Sequence, residues 1–381
     1  MAETNRMANF SEEEAQCQVN DEKSATGPDE FPDGGLQACP LYCKAPFVGR
    51  LFDRFGPRVL LPVGTFLHVF GLMMASVSSK YYQFILSQAI CSPIGAGMVL
   101  YPSFGCVATW FKARRALAMG ITASGSSLGG TVMPIMVDHL MGKIGFGWTM
   151  RAIAFLMLGL LIITNLTVKS RLPPRPKDVG VLDFFRAFKD PAFSLTALAS
   201  FFYFMGMFIP ITFMVTYGVH VGMSVSLAGY LVSIFNAASG VGRILSGHIA
   251  DKAGNFNVSI VAACLSTIFT LCLWLPGYTN STAIAFSALF GFSSGTYTAL
   301  TPALVAQITD ISDIGTRSGA IYALSSFAGL VGSPIGGSLL TNAAGSYWKQ
   351  QVFAGVMLGV GALFFLGCKL YLAKWRLFTK V

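Results

Sequence analysis

A chain of 381 residues with 54% hydrophobic and only 11% charged residues, at a mean hydropathy of +0.62, does not read as a soluble domain, in which about a quarter of residues are charged. The net charge of +9 does not point to nucleic acid either: nine of the 17 acidic residues fall before position 34, so the basic excess lies among apolar segments, where it reports orientation. No G-x-x-x-x-G-K-[ST] loop, dinucleotide signature, paired Cys motif or catalytic cluster occurs in the sequence, which argues against an ATP-driven pump, a cofactor-dependent enzyme and a metal centre.

Residues 1–44 form a polar, acidic tail, expected to be disordered. They lack the basic n-region and apolar h-region of a secretory signal. Ten apolar spans follow, at 59–79, 81–109, 116–141, 150–168, 192–217, 227–250, 256–277, 282–308, 318–341 and 350–373, each near the ~20 residues that cross a bilayer as a helix. The longest polar break carries Arg171-Leu172-Pro173-Pro174-Arg175-Pro176-Lys177 and reads as a linker. The expected organisation is an incomplete four-span bundle over 45–168, a linker over 169–191, a six-span bundle over 192–373 and a tail over 374–381. Alternating the spans places 21 basic residues on one side and four (Lys80, Lys143, Arg151, Lys349) on the other. Both termini are therefore expected in the cytosol. Eight cysteines and four histidines stand singly along the chain and read as packing residues.

An internal repeat ties the two bundles together. Gly49-Arg50-Leu51-Phe52-Asp53-Arg54-Phe55-Gly56 and Gly247-His248-Ile249-Ala250-Asp251-Lys252-Ala253-Gly254 share Gly, Asp, a base and Gly at identical spacing, 198 residues apart. Two parallel repeats of one helical unit are the expected reading. The second copy has two spans before it in its bundle and four after it; the first has four after it and none before, so two spans are expected to be missing from the front.

The loop from Gly49 to Arg58 resembles the G-x-L-x-D-R-x-G-x-R pattern between helices 2 and 3 of the major facilitator superfamily. More narrowly, Pro32-Asp33-Gly34-Gly35-Leu36-Gln37-Ala38 and Trp110-Phe111-Lys112-Ala113-Arg114-Arg115-Ala116-Leu117-Ala118-Met119-Gly120 are similar to patterns of the monocarboxylate porter family in its fungal branch. The resemblance implies an all-α integral membrane protein with the major facilitator fold, carrying about ten of the usual twelve transmembrane helices. The chain departs from the pattern after Ala38: Cys39-Pro40-Leu41-Tyr42-Cys43-Lys44 stands where helix 1 would begin. Loss of two spans keeps the sidedness of everything downstream.

Arg243, inside a span, is the sharpest single residue. A charge there costs about 2.5–3.5 kcal/mol on insertion scales and should face the bundle interior or a wet cavity. Snorkelling toward Asp251 or headgroups is the alternative. The resemblance implies a role for Arg243 in binding a substrate anion; the acidic partner the family has four residues earlier is Ser239 here. Asn236, Tyr101, Tyr203, Tyr297 and Tyr322 are further candidates for lining a substrate cavity, each with helix packing as the competing reading. Gly49, Asp53, Arg54, Gly56, Arg58 and Asp251 are candidates for a gate between the two bundles, since a carboxylate in a Gly-flanked turn can receive an arginine or cap a helix N-terminus. The sequence thus points to a secondary transporter of a small organic acid or hydrophobic metabolite in the plasma membrane, inclined to export on family grounds, with a proton as candidate co-substrate and no cofactor. The competing function is a truncated, non-transporting membrane protein.

Overall fold

A computed structural model describes residue 51 and residues 55–111, 114–170, 186–309, 314–341 and 346–375, all within one compact unit, Gly34–Val381. Among the described residues there is no strand. Among the described residues, nine helices are long and apolar enough to cross a membrane. They are α1 Pro57–Val77; α2, which runs Tyr81–Phe84, turns π-helical over Ile85–Cys91 and resumes as Ser92–Trp110; α3 Arg115–Thr167; α4 Pro191–His220; α5 Val225–Ala253; α6 Asn255–Phe269, extended by a π-helical turn Thr270–Trp274; α7 Asn280–Gln307; α8 Ile314–Thr341; and α9 Trp348–Leu372.

Nine helices give ten spans because α3 is not one rod. Fifty-three residues at 1.5 Å each would extend about 80 Å, yet the Trp110 indole N–H, just before α3, donates to the Lys169 carbonyl, just after it, at 2.9 Å. The chain reverses at Gly145, whose φ of 73° and ψ of 171° suit a residue without Cβ. The second arm runs back along α1: Arg151 donates to Ser76 and Asn165 to Thr65. The two arms, 115–144 and 145–167, replace the expected spans 116–141 and 150–168. The loop foreseen between them shrinks to a single glycine.

Helix starts follow local chemistry. Pro57 and Pro191 sit in the first turns of α1 and α4, where a missing N–H costs nothing. The side chains of Asp190, Ser224 and Thr279 accept from Ala192, Leu227 and Thr282 at the starts of α4, α5 and α7. The core lies within the last six helices, where Trp274, Tyr203, Tyr297, Phe193, Phe204, Phe256, Phe286, Phe290 and Phe365 are fully buried. No hydrophobic force draws helices together in lipid, so close approach and interhelical hydrogen bonds do the work. A methyl on Gly206 would lie 2.7 Å from the Ala354 carbonyl oxygen. An Asp190–Arg317 ion pair at 3.1 Å ties the start of α4 to the start of α8.

Candidate functional site

The first arm of α3 and α5 run antiparallel in close contact, and this seam joins helices that precede residue 171 to helices that follow residue 185. Its first contact is a cap. The residue preceding α3, Arg114, supplies no side-chain cap; instead the Asp251 carboxylate, from the far end of α5, accepts from the Ala116 N–H at 3.0 Å and the Leu117 N–H at 3.1 Å. A negative charge thus sits on the positive end of a helix from the other bundle. In the opposite sense Arg115 of α3 donates to the Ala306 carbonyl at 3.4 Å, in the last turn of α7, where a cation meets the negative end of a helix.

Inward along the seam the helix backbones nearly touch. A methyl at Gly247 would lie 2.6 Å from the Ala116 carbonyl oxygen, one at Gly120 would collide with the Arg243 carbonyl, one at Gly240 would lie 3.2 Å from Ser127 Cβ, and one at Gly130 would run into the Asn236 amide. Gly120 and Ser127 on α3, and Gly240 and Gly247 on α5, are each seven residues apart, two helical turns on one face. Beside them Met119, Ala306 and Ile314 form an apolar plug with Phe104 and Val107 packed on it. A turn further in, Tyr101 of α2 and Tyr322 of α8 meet with ring centroids 5.4 Å apart. The cap, the Arg115 contact and the close approach at Gly247 and Gly120 close the seam at the end bearing Arg115, Lys252 and Arg317.

Arg243 belongs to this seam. Its guanidinium reaches from α5 to α3, donating to the Ala123 carbonyl at 2.6 Å and to the Ser126 hydroxyl. The charge thus faces the protein interior, as an intramembrane arginine must, and its direction is toward α3 rather than toward Asp251. Asn236 lies two turns further along α5 against Gly130, donating to the Val232 carbonyl at 2.9 Å. Ser239 points at Gly295 of α7.

Of the residues expected to line a cavity, the structure brings Arg243, Asn236, Tyr101 and Tyr322 to the junction of the two bundles. Tyr203 and Tyr297 are elsewhere. Both are fully buried, with rings 3.9 Å apart, inside the six-helix bundle, where the Tyr203 hydroxyl pairs with Ser266 at 2.8 Å and Ser266 donates on to Ser293. A buried phenol needs such a partner, and this one holds α4, α6 and α7 together. Of the gate candidates, Asp251 makes the cap; Gly56 precedes α1 with a φ of 68°, and Arg58 is exposed. Gly49, Asp53 and Arg54 lie outside the described residues. Sequence reasoning did not single out Ser126, Arg115 or the Ala123 carbonyl; the heptad spacing of small residues on α3 and α5 was the available signal for the seam.

The sequence pattern of the Major Facilitator Superfamily matches residues 44–290 and 196–376. The chain belongs to the Major Facilitator Superfamily. This member is 68% identical over 341 residues to an MFS-type transporter of Gibberella moniliformis, covering 90% of this chain and 82% of that one. It is 41% identical over 338 residues to the fujikurins efflux protein of Gibberella fujikuroi, covering 88% and 73%. Its fold is similar to that of the human organic anion transporter MFSD10, with a TM-score of 0.72 at 17% identity over 87% of this chain and 82% of the other. The protein is accordingly a multi-pass membrane transporter of the major facilitator fold, and the superfamily's business is the movement of small molecules.

Proposed function

We propose that this transporter exports a small organic acid or hydrophobic secondary metabolite by alternating access, and that it belongs to the monocarboxylate porter branch of the superfamily. The observation that carries the mechanism is the capped seam: Asp251 on the start of α3 and Arg243 on the Ala123 carbonyl join the two bundles at its closed end. Positive charge concentrates at that end, which the positive-inside rule makes cytosolic, so both termini are cytosolic and the conformation is closed to the cytosol. Loading from inside requires these contacts to part. An anionic group on the substrate competes with Ala123 and Ser126 for the Arg243 guanidinium, and that exchange releases one of the ties holding the seam. The efflux role named for the Gibberella fujikuroi relative supports the outward direction. Tyr101 and Tyr322 floor the space in which the substrate is held, and Asn236 offers it an amide. By the repeat, the Gly49–Arg58 loop is assigned the same gate role as Asp251, with Asp53 and Arg54 as its charged members. With Ser239 turned to α7, coupling to a proton requires a carboxylate other than a neighbour of Arg243.

Loss of two helices before residue 45 is part of this reading. In the six-helix bundle α8 gives its glycine face to α4: built methyls at Gly329, Gly332 and Gly336 meet Phe208, the Met205 carbonyl and Ile209 at 3.2, 2.8 and 3.3 Å. Pro134 and Pro334 are 200 residues apart, as are Gly129 and Gly329. Yet Gly125 and Gly129 meet nothing within 4 Å, and Leu128 and Val132 are 69% and 53% exposed. The face that α8 gives to the first helix of its bundle is bare on α3. The test is flux in proteoliposomes, followed with a panel of aromatic and aliphatic organic acids, for this chain and for one with two apolar spans inserted between Ala38 and Lys44. The restored chain should transport and the 381-residue chain poorly. Equal flux would refute the deletion, and no flux from either would favour a non-transporting membrane protein.

A further inference from the structure

Gln350, the third residue of α9, is completely buried, and neither its amide nitrogen nor its amide oxygen has a hydrogen-bond partner among the protein's groups. Its neighbour Gln351 is ordinary by comparison, donating to the Trp274 carbonyl at 3.0 Å. An unsatisfied amide buried in packed protein is expensive, because it has given up its hydrogen bonds to solvent. The site lies in the seam of α4, α8 and α9, at the end away from the closed gate. A methyl built on Gly336 would lie 3.4 Å from Gln350 Nε2 and 3.3 Å from both Ile209 and Phe213, so the amide fills the space that the missing glycine side chain leaves. Ser333, one turn before Gly336 on the same face of α8 and 9% exposed, has its hydroxyl 3.1 Å from that of Thr212.

The proton directions of this cluster can be followed. Thr212 donates to the Phe208 carbonyl at 2.8 Å, so Ser333 donates to Thr212, and the free lone pair of Ser333 Oγ remains as an acceptor. The amide presents a donor and an acceptor side by side. A cation would face the amide N–H and an anion the amide oxygen. A small neutral group that both donates and accepts fits both. Ser333 stands three residues, a rise of about 4.5 Å, before the amide's neighbour Gly336, and one molecule making hydrogen bonds of ~2.8 Å on either side reaches over such a step.

We propose that a single buried water molecule occupies the seam of α4, α8 and α9, accepting from Gln350 Nε2, donating to Gln350 Oε1 and donating to Ser333 Oγ. Three hydrogen bonds, two of them to the unsatisfied amide, are what a structural water typically makes. It ties the start of the last helix to the two helices whose far ends border the junction of the bundles.

The test is a structure of the purified chain at a resolution that shows ordered water, paired with thermal unfolding of Gln350→Met and Ser333→Ala. A compact density peak at hydrogen-bond distance from both amide atoms is expected. Gln350→Met and Ser333→Ala should each lower Tm by roughly 2–4 °C, and the double variant by little more than either, because both act on one bridging molecule. Ser333→Ala leaves the amide untouched, so a folding failure of Gln350→Met does not remove the test. The proposal is overturned by an empty seam, by density too large for water, such as a lipid or substrate hydroxyl, or by a Gln350→Met variant as stable as the parent or more so. In that last case the amide was unpartnered and its apolar isostere relieves the penalty.

Discussion

Replacing Asp251 by alanine probes the gate most cleanly, because it removes a side chain from one bundle and two hydrogen bonds from the other. The carboxylate accepts from Ala116 and Leu117 at 3.0 and 3.1 Å. An N-cap is worth about 0.5–2 kcal/mol, and a charge at a helix terminus adds roughly 0.3–1 kcal/mol. When the seam opens these N–H groups meet water, which returns part of the loss. The net bias toward the closed state is then about 1–2 kcal/mol, and its removal shifts the closed-to-open ratio about five- to thirty-fold. Met119, in the apolar plug beside the cap, is 2% exposed. In a background with the eight native cysteines replaced, Met119→Cys should react slowly with an aqueous maleimide. Adding Asp251→Ala should raise that rate by the same factor, with Asp251→Asn in between, since the amide keeps an acceptor and loses the charge. An unchanged rate in Asp251→Ala would show that the cap does not hold the gate.

If Arg243 exchanges between the seam and the substrate, then in the two-span-restored chain Arg243→Lys should keep weak flux, retaining charge without the planar fork, and Arg243→Leu should abolish it with insertion intact; undiminished flux in Arg243→Leu would remove the binding role. Gly247→Val should wedge the seam, since a Cβ there meets the Ala116 carbonyl at 2.6 Å, and so speed Met119→Cys labelling. Gly242→Ala should instead lower Tm without speeding labelling, because its Cβ would collide with the carbonyl of Phe292 on α7, away from the seam. A C-terminal epitope tag should be stained only after permeabilisation, and staining of intact cells would reverse the assigned sidedness.

The spans were legible because helices that cross lipid must be apolar for their whole length, and charge and glycine mark where they end. Even Gly145 obeys that rule, although the turn it makes is tighter than the sequence suggested. Residues on those helices were harder to orient. A helix apolar on all sides carries no amphipathic face, so nothing in the sequence separated Tyr101 and Tyr322, at the junction, from Tyr203 and Tyr297, inside one bundle. Arg243 was marked by its charge, but its partner was not, since a backbone carbonyl at Ala123 has no sequence signature. Asp251 was readable as a capping carboxylate; that it caps a helix more than 130 residues away in the chain required the fold. Gln350 was missed because an amide near a helix start usually faces water, and only packing shows this one buried.

The central claim is that the seam between α3 and α5 must part for transport, and a reversible cross-link tests it directly. The Cβ built on Gly240 lies 3.2 Å from Ser127 Cβ, a few tenths short of the usual ~3.5–4.5 Å of a disulfide. In the two-span-restored, cysteine-replaced chain, Ser127→Cys with Gly240→Cys should cross-link on oxidation, stop organic-acid flux in proteoliposomes, and recover it on reduction. Complete cross-linking with flux undiminished would contradict the account.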